Sequence, residues 1–503
     1  MLVGGDEDSP HTLLGDTGVT RSSSSVLWMV ATFASAATML RCGFILDRLG
    51  PMKALSGTAV LLGLSLGALS FSSSTWSLFL GLYCLRLFGQ GCMMLIPPYT
   101  VAMWWVERRG FAYAITLSIG SLGINYAYPM LAKSVMDMPG YSWRDVLRIN
   151  GLICFCGTLP LGLLFYRGRP ELYGLLPDAR RGRSRRAGYG QLGAGGGPSA
   201  GSLRAKQAAK AAAADARAWV ARDALRTASL WATCSGVCLI AAISMGVWFH
   251  LVGLVADATP GHVMPGSELS TVFAVQTVGQ MVAKFCFSWL LDRLSVRTVL
   301  LSAIAVQLLA IGTFSAALLL VAQPLAVLAV GLQAAALGGA YSVDGVSYAK
   351  FFGRDALGSI TGVTKACWQV ATAVGPTPLA LVRDYTGSFL PALGGATLLC
   401  LVSFVVVFLF AKRPSADNPQ MLPCFRRQST RMYDKIGAED AEDEDSEGSR
   451  LLKEGSGAEG EGMALVGSSG ARAATARRED EGDAPSPADT HFPRSQPPPK
   501  GDG

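Results

Sequence analysis

The stretch Gly43-Phe-Ile-Leu-Asp47-Arg48-Leu-Gly50 decides how this chain is read. It is a short charged turn that closes one apolar run and opens another. A near copy, Ser288-Trp-Leu-Leu-Asp292-Arg293-Leu-Ser295, returns 245 positions later. Both copies run in the same order: apolar span, Asp-Arg, a further basic residue (Lys53 or Arg297), apolar span. One such turn carries little weight. Two at matching places in two hydrophobic halves point to one membrane unit used twice.

Composition agrees. Of 503 residues, 50% are hydrophobic and only 16% charged, whereas a soluble domain carries about 25% charge. The charge is also segregated into loops and a tail. This is the pattern of a polytopic membrane protein, and it argues against a soluble enzyme. A net charge of +7 suggests nucleic acid in other contexts. Here the basic residues read as loop charges on one side of a membrane, with no nucleic-acid partner. The 11 cysteines are scattered singly, mostly inside apolar runs. They read as packing residues, with no disulfide framework and no metal site. Gly89-Gln-Gly91 lacks the strand–turn–helix setting of a nucleotide site, and no enzyme signature or cofactor motif is present.

Apolar runs long enough to cross a bilayer fall at about 25–46, 53–73, 76–104, 110–133, 145–166, 227–255, 269–291, 298–321, 324–348, 356–382 and 388–411. That predicts an all-α membrane protein of about eleven transmembrane helices in two pseudo-symmetric bundles. The expected domains are a polar N-terminal loop over 1–24, a first bundle over 25–166, a basic linker over 167–226, a second bundle over 227–411 and a disordered tail over 412–503. The first 24 residues lack the apolar core of a cleavable leader. The connections holding Arg48 and Lys53, Arg108 and Arg109, the 167–226 linker, Arg293 and Arg297, and Lys350 and Arg354 are basic and share one side if the spans alternate. The opposite connections 71–75, 256–268 and 321–324 carry no Lys or Arg; Lys133, Arg144, Arg148 and Arg383 run against the trend. This bias puts the Asp-Arg turns, the linker and the C-terminus in the cytoplasm, and the sorting signal in the tail points to a plasma, endosomal or vacuolar membrane.

The linker begins Arg- and Gly-rich and ends Ala-rich over 203–225, a helix that lies on anionic lipid or stays solvated. The tail carries the run EDAEDEDSEGSR and cannot bury a core. Within it, Glu447 with Leu451 and Leu452 fits an acidic di-leucine signal for a sorting adaptor.

With the turns in cytoplasmic loops of two equivalent halves, the chain resembles the major facilitator superfamily of secondary transporters. Gly43, Asp47, Arg48 and Gly50 match that family's signature loop Gly-x-x-x-Asp-Arg-x-Gly. The second copy keeps Asp292 and Arg293 but has Ser288 and Ser295 in place of the glycines. Arg86 with Gly89 and Gly91 resembles the fourth-helix signature, shortened by one residue. Trp104-Trp105, Arg108-Arg109-Gly110, Trp143-Arg144, Arg169-Pro-Glu-Leu-Tyr-Gly174, Phe249-His250 and Asp384-Tyr-Thr-Gly387 together resemble the monocarboxylate and oxalate–formate exchanger branch. The family has twelve helices, and the run at 25–46 aligns with its second; the first is expected to be missing, either because the sequence is truncated or because this is an eleven-span protein with an external N-terminus.

Charges inside spans cost about 2.5–3.5 kcal/mol at mid-helix, so each needs a reason. Lys284 lies eight residues before Asp292, about 12 Å along its helix. Lys365 lies at similar depth, about 13 Å into the 356–382 span. The resemblance implies that basic residues on these two helices bind a substrate carboxylate, which would relieve their mutual repulsion. The alternative is that each snorkels to the interface. Arg86, near mid-span, is a third substrate-binding candidate or an Arg locked to backbone carbonyls. Asp344 is either an interfacial residue near a helix end or a buried, proton-coupling counter-ion for Lys365. His250 is a packing residue or a proton relay. Trp248, Tyr126 and Trp368 line a cavity or merely pack. Gly120, Gly123, Pro129, Gly375, Pro376 and Pro378 are expected to allow close packing and bending. By the resemblance, Gly43, Asp47, Arg48, Asp292 and Arg293 form a cytoplasmic latch that releases during alternating access; otherwise they are topogenic charges.

The expected function is transport of a small organic anion, a monocarboxylate or dicarboxylate, by proton symport or anion exchange. The alternatives are a carrier of a sugar, amino acid or drug, and a non-transporting receptor or scaffold.

Overall fold

A computed structural model describes residues 21–123, 128–136, 138–173, 175, 219–257 and 266–414. Residues 1–20, Tyr126, most of the linker, the tail and the Glu447, Leu451 and Leu452 signal lie outside the described residues. Among the described residues every regular element is helical.

The first half opens with α1, Arg21–Ser70, which is two spans joined at a kink. Gly50 sits there at φ 77, a left-handed conformation that a side chain disfavours, and Pro51 starts the second arm. A 30-residue passage follows, Thr75–Trp104. It comprises α2 (Thr75–Cys84), a π-helical stretch (Leu85–Cys92) and α3 (Met93–Trp104). Next come α4 (Arg109–Leu122) and α5 (Tyr128–Met136). Then α6 (Trp143–Ile153) and α7 (Leu159–Phe165) are joined through a π turn at Cys154–Thr158. A 3-10 turn, Pro170–Tyr173, ends this half.

The second half begins with a short α8 (Ala221–Ala224) and continues with α9 (Ala228–Phe249) and α10 (Leu251–Asp257). The long helices α11 (Gly266–Arg293), α12 (Val296–Leu320) and α13 (Gln323–Phe352) follow. The last are α14 (Leu357–Val374), α15 (Pro376–Thr386) and α16 (Leu390–Phe410).

Seven of these stretches, counting each unbroken passage once, are long and apolar enough to cross a membrane. The surface they present fits that solvent. On α16, Leu393, Ala396, Cys400, Ser403 and Val407 are buried at helical spacing, while Leu398, Leu399, Val402 and Val405 are more than half exposed. A helix apolar all round is buried in protein on one side and in lipid on the other.

Two expected spans are interrupted. The run at 227–255 breaks at His250, whose φ of -101 and ψ of 13 leave the helix. The run at 356–382 passes through Gly375 into Pro376, a residue with no N–H for the ladder. A Cβ on Gly375 would fall 2.0 Å from Ala242 O, so glycine is what lets α9 touch the bent helix.

The halves meet along two helix pairs: α1 against α14, and α4 against α11. Close approach there depends on missing side chains. A Cβ on Gly43 would lie 2.1 Å from Gly358 O, and one on Gly110 would lie 2.0 Å from Ser288 O. This explains the serines of the second turn. At Ser288 the needed space is left by Gly110 on the facing helix, and Ser288 Oγ donates to Ser342 Oγ at 2.9 Å. Ser295 replaces the glycine of the turn by N-capping α12, accepting from Thr298 N–H at 3.1 Å.

Candidate functional site

The two Asp-Arg turns perform the same act on opposite helices. α14 starts at Leu357 with no side-chain cap of its own. Asp47 supplies one from the other half: Oδ1 accepts from Gly358 N–H at 2.8 Å, and Oδ2 from Ser359 N–H and Oγ–H, both at 2.7 Å. α4 starts at Arg109, and Asp292 caps it, accepting from Gly110 N–H at 2.7 Å and Phe111 N–H at 2.8 Å. In each case the carboxylate meets the second and third N–H of the helix, the orphan donors that a cap satisfies. Its charge also complements the positive end of the helix dipole. The arginines act elsewhere: Arg48 lies over Phe44 at 4.2 Å and Arg293 over Trp289 at 3.8 Å.

Ion pairs add to this closure. Arg169 meets Asp355 at 2.7 Å, and Arg354 meets Glu171 at 2.8 Å while donating to Met103 O at 2.8 Å. Within the second half, Lys350 donates to Leu291 O beside the Asp292 turn. Partial burial would raise the Glu171 carboxyl, but the hydrogen bond from Arg354 and its own backbone N–H outweigh it and hold it below the usual carboxylate range. On the turn face, then, the two halves are tied together.

Deeper in, α11, α13 and α14 bring charged residues together. Lys365 forms a buried ion pair with Asp344, whose side chains are 6% and 2% exposed. Lys284, also buried, donates to Ser121 Oγ on α4 and to Gln280 Oε1 at 2.9 Å. An aromatic pair links the lysines. Lys284 Nζ lies 4.7 Å from the Tyr341 ring centre, and Lys365 Nζ lies 5.7 Å from that of Trp368. Tyr341 and Trp368 themselves pack at 4.9 Å. Tyr113 of α4 closes the layer so tightly that a Cβ on Gly345 would fall 2.0 Å from its ring. Both lysines and Asp344 are thus buried within the protein, where Lys365 neutralises the Asp344 carboxylate.

Arg86 lies in the π-helical stretch, which adds one residue per turn and shifts the side chains beyond it. It is buried, its guanidinium stacks over Trp28 at 4.9 Å, and its Nε has no hydrogen-bond partner. Gln369, one turn beyond Lys365, donates to Arg86 O at 3.2 Å and accepts from Ser35 Oγ at 3.4 Å. The backbone of Arg86 thus meets the helix of Lys365, while its guanidinium stays on Trp28 in its own half. His250 instead contacts Pro376 O at 3.2 Å and the Phe389 ring at 5.7 Å, so its contacts lie within the second half and not with the lysines. Trp248 packs on Phe273.

Sequence reasoning missed Ser121, Gln280, Tyr341 and Gln369, the neutral partners of these charges. A signal existed for one of them: Gln280 stands one turn before Lys284 on the same helix. It also treated Arg169 and Glu171 as pointers to a family branch, whereas the structure makes them half of a two-bridge clasp.

Two sets of helices thus cap each other at one face and bury lysines behind it. Residues 9–258 match the Major Facilitator Superfamily family model. Solved structures agree in fold. The human organic anion transporter MFSD10 (TETRAN) superposes with a TM-score of 0.54 at 15% identity, over 76% of this chain and 83% of that one. The transporter FucP in the outward conformation gives a TM-score of 0.50 at 17% identity, over 77% of this chain and 89% of that one. Comparison with the curated proteins finds no match.

Proposed function

We propose that this chain carries a small organic anion by alternating access, with Lys284 and Lys365 as the seat of the carboxylate and Arg86 as a further cavity charge. The carrying observation is Lys284. Among the described residues its buried ammonium has only neutral partners, Ser121, Gln280 and the Tyr341 ring. A buried cation without a counter-ion costs several kcal/mol, and a carboxylate beside it removes that cost. The organic anion transporter among the structural neighbours supports the same class. The sequence features of the monocarboxylate and oxalate–formate branch support a carboxylate within it.

The site holds two ammonium groups and one carboxylate. An arriving anion either replaces another anion or competes with Asp344 for Lys365. In the second case Asp344 takes a proton to stay neutral in its buried setting, which couples transport to protons. With 25–166 and 227–411 as the rocking units and 167–226 as their link, charge bias puts the turn face and the C-terminus in the cytoplasm.

The test is uptake of labelled monocarboxylates and dicarboxylates into proteoliposomes, with and without a pH gradient. Lys284→Ala should lower uptake at least about thirtyfold, since losing a buried charge partner costs ~2 kcal/mol or more. Unchanged uptake of every carboxylate in both Lys284→Ala and Lys365→Ala removes the proposal.

A further inference from the structure

The ammonium of Lys284 has three N–H groups to place. One goes to Ser121 Oγ and one to Gln280 Oε1 at 2.9 Å, which leaves the last for the Tyr341 ring, whose centre lies 4.7 Å away. A carboxylate arriving at Lys284 must therefore displace one of these partners. Gln280 stands one turn back on the same helix, and Tyr341 is stacked on Trp368 within the second half. Both stay with Lys284 when the halves move apart. Of the three, Ser121 alone belongs to the first half, near the end of α4. It is 2% exposed. Its hydroxyl proton is committed to Leu117 O at 2.8 Å, so it turns a lone pair to the ammonium, as a carboxylate oxygen does.

The contact also has a fixed place in the seam between the halves. Asp292 caps the start of α4 at Gly110; Lys284 lies eight residues before Asp292, and Ser121 eleven after Gly110. The Asp292 cap and the Lys284–Ser121 bond thus hold the two ends of the α4–α11 contact. Lys365 needs no such help from the other half, because Asp344 neutralises it from its own. We propose that Ser121 takes the carboxylate's place on Lys284 whenever the halves close without cargo, so that the carrier returns unloaded and performs net transport instead of obligatory exchange. This rests on the carboxylate seat at Lys284. Closing the halves buries the Lys284 charge, which is unfavourable unless an oxygen meets it. Cargo supplies that oxygen in the loaded closure, and Ser121 supplies it in the unloaded one. Removing the hydroxyl penalises only the second.

The experiment uses the full chain in proteoliposomes, with labelled acetate and succinate as probes and the same inward proton gradient throughout. Net uptake is measured into vesicles without internal carboxylate, and exchange into vesicles loaded with the unlabelled probe. Wild type should do both. Ser121→Ala should lower the ratio of net uptake to exchange about ten- to hundredfold, the worth of one charge-assisted hydrogen bond. Ser121→Thr keeps the oxygen and should restore most of the ratio, whereas a damaged fold lowers both modes together. A wild type that exchanges without net uptake, or a Ser121→Ala ratio within about threefold of wild type, overturns the proposal. Lys284→Ala should lower both modes alike; transport that it leaves unmoved removes the carboxylate seat and the proposal with it. If neither probe is carried, spin labels across the α4–α11 contact decide. Ser121→Ala should then show a wider separation than wild type without added anion, and an unchanged distance overturns the proposal.

Discussion

The Asp344–Lys365 pair yields the sharpest test of the site's physics. The side chains are 2% and 6% exposed, so the solvent screening that reduces surface pairs to a fraction of a kcal/mol does not apply. Removing one member of such a pair strands the other in an apolar layer, at a cost of ~3–5 kcal/mol. Asp344→Asn and Lys365→Met should each lower the free energy of unfolding by about that amount, roughly two to nearly four powers of ten in the equilibrium constant. The double variant leaves no charge stranded by its partner, and should recover most of the loss. The assay is equilibrium unfolding of the purified protein in mixed micelles, read by intrinsic fluorescence, as a complete double-mutant cycle. A coupling of at least ~2 kcal/mol is expected. Single variants within ~1 kcal/mol of wild type, or a double variant destabilised by the sum of the singles, would refute the reasoning that the two charges exist to neutralise each other.

At the turn face, Asp47→Ala and Asp292→Ala each remove a shared helix cap worth ~1 kcal/mol; spin labels placed across the α1–α14 and α4–α11 contacts should report a wider separation in a growing fraction of molecules, most in the double variant. Gly345→Val should prevent closure, because its Cβ would meet the Tyr113 ring at 2.0 Å; transport should fall to background and recover in part with Tyr113→Ala. The Glu171–Arg354 bridge has a defined pH window: with the carboxyl held low, its contribution is complete above the free value of about 4.3 and is lost as pH falls further, through the folded value. The same spin-label distances should therefore widen on acidification below about pH 4, and Glu171→Gln should show the wide distance already at neutral pH.

Much of the fold was legible because membrane insertion imposes a simple rule. Every apolar run of about 20 residues must become a helix, so the run lengths alone located the passages from α1 to α16. The repeated Asp-Arg turn was legible as a duplication because the same short pattern recurs in both halves; the helices its acids cap were not legible, because they lie in the opposite half. Breaks inside spans were only partly visible. Pro376 announced its bend, but nothing around Arg86 reveals a π-helical stretch, since one extra residue per turn leaves the apolar pattern of a lipid-soaked helix unchanged.

Sequence by itself determined that Lys284, Lys365, Arg86 and Asp344 are charges within spans, at depths set by the 1.5 Å rise of a helix. Only the tertiary structure decided what they touch. Asp344 and Lys365 are 21 residues apart and lie on different helices; Lys284 meets a serine 163 residues away in the other half. Asp47 finds the start of a helix 311 positions on. The reason is that a membrane helix conveys its depth through its own chain, whereas its rotation and its neighbours are set by packing against other helices, where a missing Cβ at Gly43, Gly110 or Gly345 counts for as much as any charge.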